Sequence, residues 1–137
     1  MFVSIRDLSL NHSNDCFSEK TEHWFDKDRY EFYTLSRIRD MGYSAKTPDE
    51  LKTVLAENNI IPSLTVDEYE FERNYIRSLR NRKLSDMFDK IGDKEAYDLR
   101  FRVYMENNNI DYFDELKEFI RDSAVKWCIE NNVRYRK

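Results

Sequence analysis

Glutamine is absent from this chain, alanine occurs four times, and glycine, proline and cysteine occur twice each. So little glycine and proline disfavours a turn-rich all-β fold and low-complexity linkers. With only Gly42 and Gly92 present, no glycine-rich loop exists to cradle a phosphate chain. No serine or cysteine stands in a recognisable nucleophile motif. The two histidines lack nameable acid–base partners. A non-enzymatic protein without a cofactor is therefore expected. No apolar run approaches the roughly 20 residues that a membrane span needs. Met1-Phe-Val-Ser-Ile-Arg6 lacks the charged and apolar regions of a signal peptide. The expected setting is the cytoplasm, with reduced thiols.

What is present is charge and aromatic surface. Forty percent of the 137 residues are hydrophobic and 36% are charged, as befits one soluble domain with a charged exterior. A net charge of −4, from 23 basic and 27 acidic residues, argues against bulk attraction to nucleic acid or to an anionic membrane. Frequent Asn, Asp, Tyr, Phe and Ile fit an AT-biased genome, a class that includes many viral and phage genomes.

The stretch Thr65–Ile91 is the longest run compatible with helix and contains neither glycine nor proline. Thr65 and Glu68 suggest a capping box at its start. Phe71, Tyr75, Ile76 and Leu79 share one face, whereas Leu84, Met87, Phe88 and Ile91 would lie roughly 140° away on a straight helix at ~100° per residue. One rod cannot bury both faces against one neighbour, so a break is expected near Asn81-Arg82-Lys83.

Other helices are expected over Asp26–Met41, ended by Gly42, from a Thr47-Pro-Asp-Glu50 capping box to Asn58-Asn59, and over Asp111–Asn131. The last carries a stripe of Phe113, Leu116, Ile120, Ala124 and Trp127, with an Asp122–Lys126 pair outside. Residues 93–107 read as helix, although Leu99-Arg-Phe-Arg-Val-Tyr-Met105 alternates like a strand. The expected fold is thus an all-α, single-domain bundle of about five to six helices. Residues 1–23 form an extended arm or loop, and 24–137 the helical core. The alternative is α+β, with a strand pair from residues 2–6 and 99–105. Glu-Asn-Asn recurs at 57–59, 106–108 and 130–132, each time where a helix should end, because asparagine tolerates the left-handed conformation.

Three constellations merit chemistry. Arg73, Arg77, Arg80, Arg82 and Lys83, with Tyr69 and Tyr75, form the candidate binding surface, since arginine forks and aromatic faces suit phosphates and protein hot spots alike. His12, Cys16 and His23 are possible zinc ligands, but their spacing matches no zinc motif and no metal is expected. Pro48-Asp49-Glu50-Leu51-Lys52 looks superficially like a nuclease site, yet consecutive residues in one helical turn cannot surround a metal. The functional expectation is a small helical protein that binds another protein, as an adaptor, regulator or inhibitor. A nucleic-acid module using residues 73–83 is the alternative, and a metal-dependent enzyme comes third. Oligomeric state is not legible.

Overall fold

The computed structural model describes residues 1–14 and 21–137. The all-α expectation is overturned: the described residues hold seven helices and seven short strands, a mixed α+β fold. Two compact units make it up. Among the described residues, the first holds 1–13, 21–66 and 120–137, and the second holds 14 and 67–119.

A three-stranded antiparallel sheet organises the first unit. Its centre is β3 (His23–Asp26), flanked by β4 (Glu31–Thr34) and β5 (Ile60–Pro62). Trp24 faces Tyr33 on one side and Pro62 on the other, and Phe25 faces Phe32 and Ile61. Pro62 is tolerated because β5 is an edge strand. Residues 26–34 were expected to be helical; they form a turn and a strand instead. The turn carries neither glycine nor proline, so its signal is hidden. Asp26 Oδ1 accepts from the backbone N–H of Asp28 and Arg29 at 2.9 and 3.0 Å, an Asx-turn that replaces the usual turn residues. Tyr30 then adopts φ +54°, a conformation that costs a non-glycine residue ~1 kcal/mol. Its ring offsets that cost edge-on against Phe25, 5.3 Å between centroids, and its hydroxyl accepts from Arg134 N–H at 3.2 Å.

Asp26 is buried, and the Tyr33 hydroxyl donates to its Oδ2 at 2.9 Å. Burial, followed by this bond to Asp26, pushes the Tyr33 hydroxyl up to about 12, so it remains a donor throughout the neutral range. Trp24, Tyr33, Ile38, Leu55 and Ile60 pack together behind the sheet. They bring in α2 (Leu35–Asp40) and α3 (Pro48–Glu57). Thr34 caps α2 by accepting from Arg37 N–H. Gly42 follows that helix at φ +91°, where a side chain would be strained. Thr47 Oγ1 accepts from Glu50 N–H at 3.2 Å, and Glu50 Oε2 reaches back to Lys46 N–H at 3.1 Å. Helix capping therefore accounts for the nuclease-like residues.

The N-terminal arm is shorter and more structured than expected. β1 (Val3–Ser4) runs directly into α1 (Ile5–Leu10), capped by Ser4. Its strand partner is β7 (Tyr135–Arg136), in parallel, and not residues 99–105. Short strand segments also occur at β2 (Ser13–Asn14) and β6 (Thr65–Val66). Thr65 is thus a strand residue, and the cap of the following helix is Asp67, which accepts from Glu70 N–H at 3.1 Å.

In the second unit the expected break is present. α4 (Glu68–Ser78) stops, Arg80 turns at φ +53°, and Asn81 caps α5 (Arg82–Asp89) by accepting from Leu84 N–H at 3.1 Å. Both apolar faces consequently join one cluster of Phe71, Ile76, Leu84, Phe88, Phe101 and Met105. Met87 is the exception and is largely exposed. α6 (Lys94–Asn107) is a helix throughout, capped by Asp93, so the strand-like reading of 99–105 does not hold.

α7 (Phe113–Glu130) belongs to the second unit through Phe119 and to the first from Ile120. Ala124 and Cys128 are fully buried in it, whereas Phe113 of the expected stripe is 58% exposed. Lys126 pairs with Glu130 across 4.0 Å. Paired asparagines end three helices, at the expected 58–59 and 131–132 and one residue later than expected at 108–109. Asn58, Asn108 and Asn131 each donate from the side chain to the carbonyl four residues back. Asn59, Asn109 and Asn132 follow at φ +60°, +52° and +55°. At two of these ends the chain closes a Schellman turn, Ile110 N–H to Met105 O and Val133 N–H to Cys128 O, both 2.9 Å. The apolar residue past each turn covers the helix end.

Candidate functional site

The expected binding stripe divides into three environments. Tyr75 is a core residue, its ring 5.8 Å from Phe71 and 6.0 Å from both Phe101 and Tyr112. Burial is the main cause that raises its hydroxyl above the ordinary tyrosine value, with Glu115 and Asp111 adding to it. Tyr69 and Arg73 form a local stack: the guanidinium lies 4.6 Å from the ring centroid, and Lys94 approaches the same ring at 5.5 Å. Arg73 Nε is buried without a hydrogen-bond partner among the described residues. Such a stack holds the cation by the ring's quadrupole, and Arg73 is half-buried. Only Arg77, Arg80, Arg82 and Lys83 stand exposed. Arg80 lies beyond the end of α4, so the continuous three-arginine face of a straight helix is not formed.

The alternation in Leu99–Met105 has a different meaning from a strand. α6 is apolar on two sides. Tyr97, Phe101 and Met105 are buried at 3% or less, but Leu99 is 65% and Val103 45% exposed. With exposed Ala96, these two residues make a row at spacings of three and four, which on a helix is one continuous strip. The strip lies roughly 170° around the axis from the buried face, at ~100° per residue. Glu95, Arg100, Arg102, Glu106 and Asn107 are exposed polar residues around it. An exposed leucine alone needs no explanation, but a rimmed apolar strip on an ordered helix marks a surface of interest.

Beside the aromatic core lies a buried carboxyl that the sequence did not single out. Glu72 is 4% exposed. Burial above all, then its hydrogen bond to Asp98 and the charges of Asp98 and Glu68, pushes it from 4.5 up to about 9. It therefore holds its proton at neutral pH. Asp98 is in turn paired with Arg102 Nε at 3.1 Å. The only sequence signal was a charged residue falling between Phe71 and Ile76 on the inward side of α4.

The raised value has a definite sign in stability. Below pH 4.5 both folded and unfolded chains keep the Glu72 proton. Above it the unfolded chain ionises first, so stability falls as pH rises until the folded carboxyl itself ionises near 9. Glu72→Gln removes that charge and keeps a donor for Asp98. The variant should gain ~1–2 kcal/mol over the parent at alkaline pH and little at acid pH. Urea melts at acid, neutral and alkaline pH measure this. A uniform loss at every pH would mean that the side chain carries no such proton.

The possible zinc ligands do not assemble into a demonstrated site. Cys16 lies outside the described residues. A ring nitrogen of His12 meets the Ser9 carbonyl, and His23 Nδ1 is buried without a partner among the described residues. Among those residues no three His, Cys, Asp or Glu are grouped so as to hold a metal. Cys128 is fully buried, and burial pushes its thiol up to about 11, which makes it a packing residue and a poor nucleophile. No described helix is long and apolar enough to cross a membrane.

No family model, curated protein or solved structure matches this chain.

Proposed function

We propose that this chain acts without catalysis of its own, by binding another protein, and that the outer strip of α6 is where the partner docks. The observation that supports this is the exposure of Leu99 and Val103 opposite the buried face of the same helix. An adaptor, regulator or inhibitor needs such a surface. An amphipathic helix of the partner, laying its own apolar row along the strip, is the matching occupant. The half-buried Tyr75 and the stacked Tyr69–Arg73 pair no longer serve as anchors in this reading.

Leu99→Glu combined with Val103→Glu tests it, because both side chains are exposed and the fold does not depend on them. Affinity capture from the native host, with nuclease present, should recover a protein partner with the parent chain. The double variant should lose it, with binding weakened at least ~tenfold by loss of apolar anchors. Capture that persists in this variant would remove α6 from the interface. Nuclease-sensitive capture, lost instead on charge reversal of Arg77 and Arg80, would favour the nucleic-acid reading. Its affinity should then fall steeply with salt.

A further inference from the structure

A cleft of about 580 Å³ opens in the first unit between β3, α2, the loop after Gly42 and the start of α3. Its size is in the range of small-molecule sites, roughly 300–1,000 Å³. Trp24 lines it while being only 1% exposed, and its indole N–H is buried with no partner among the described residues. The buried indole places its N–H close behind the cleft wall, where a bound ring would shift its resonance. Leu35, Leu51 and Tyr43 add apolar and aromatic wall.

The charges are of one sign. Arg39 from α2, Lys46 from the loop and Lys52 from α3 line the cleft, and no carboxylate does among the described residues. In a chain of net charge −4, three cations around one apolar hollow are a local inversion of the overall balance. Such walls concentrate anions from solution.

We infer that this cleft binds a small organic anion, a carboxylate or phosphate carried on a flat apolar body. The anionic head meets the arginine fork and the two ammonium groups. The body lies against leucine, tyrosine and the Trp24 ring. Inorganic phosphate would lack the apolar contact, and a neutral aromatic would lack the charge. This site is separate from the α6 strip, and neither reading depends on the other.

The test uses the full chain with four probes: 1-naphthyl phosphate, 1-naphthoate, 1-naphthol and inorganic phosphate. Calorimetry gives affinity, and two-dimensional amide spectra follow the Trp24 indole N–H. At least one of the two aromatic anions should bind with Kd below about 1 mM and shift the Trp24 resonance, with 1-naphthol and inorganic phosphate about tenfold weaker or more. The difference between the two anions reports which headgroup is preferred. Arg39→Ser with Lys52→Ser, both exposed positions, should weaken the aromatic anion by about tenfold or more through lost charge-assisted contacts. Arg82→Ser with Lys83→Ser changes net charge equally and should leave binding as it was. The inference is overturned by an unmoved Trp24 resonance with both anions, by equal affinity for 1-naphthol, or by equal weakening in the two double variants. Should the first double variant fail to fold, the contrast among the four probes on the parent chain still decides.

Discussion

Ile76→Pro should unfold the second unit, whereas Arg82→Pro, six residues on, should be almost silent. Ile76 lies inside α4, 1% exposed and within the aromatic cluster. Proline there deletes a helical hydrogen bond, clashes with the preceding turn and empties a buried site, a loss of ~3 kcal/mol from the backbone alone. Removing the buried isoleucine side chain adds to it. Arg82 is the first residue of α5, where the N–H has no intrahelical acceptor and proline is at home. The residue before a proline must be extended, and Asn81 already is, at φ −110° and ψ 103°. The cost at Arg82 should therefore stay within ~1 kcal/mol. Paired denaturant melts decide the matter. Equal and severe losses would mean that α4 and α5 behave as one rod in solution.

The second large effect is expected at Asp26. One carboxylate accepts from two backbone N–H groups of the β3–β4 turn and from the buried Tyr33 hydroxyl. Asp26→Ala removes the acceptor of both turn N–H groups, leaves the Tyr33 hydroxyl only its longer 3.4 Å contact with Glu31, and should cost ~3 kcal/mol. Tyr33→Phe removes only one of the bonds and should cost about 1 kcal/mol, less than Asp26→Ala by a clear margin. Asp26→Asn keeps the turn's acceptor and should fall between them. If Asp26→Ala proved no worse than Tyr33→Phe, the Asx-turn would be contributing nothing to the hairpin.

The same two regions mark where sequence reading succeeded and where it failed. The break at Asn81 was legible because a mismatch of helical phase is written in the apolar spacing itself. The ends at Asn58, Asn108 and Asn131 were legible for a similar reason: a cap joins groups within a few residues of one another. The hairpin at 23–34 was not. Its turn depends on Asp26 and a left-handed Tyr30, residue types common in helices, and its central strand is buried on both faces. Trp24, Phe25 and Asp26 therefore show no alternation to read.

The candidate sites follow the same division. Arginines and tyrosines at helical spacing nominate a stripe, but neighbours decide which of them reaches solvent. Phe71, Phe101 and Tyr112 claim Tyr75, and Tyr69 claims Arg73. Conversely, the strand-like run at 99–105 proved to be a helix with a second apolar side. The cleft around Trp24 gathers residues from β3, α2, a loop and α3, and no linear motif joins them.

The sequence by itself determined the asparagine-marked ends of three helices, the broken central helix and the lack of a recognisable catalytic motif, because these rest on local hydrogen bonding and residue periodicity. Tertiary structure alone decided that β3 pairs with β5 from beyond α3, and that β1 pairs with β7 from the far end of the chain. It also decided that Glu72 is buried as a neutral acid and that Leu99 faces out. Those outcomes depend on which distant segments exclude water from a given side chain, and separation along the chain hides that from any local pattern.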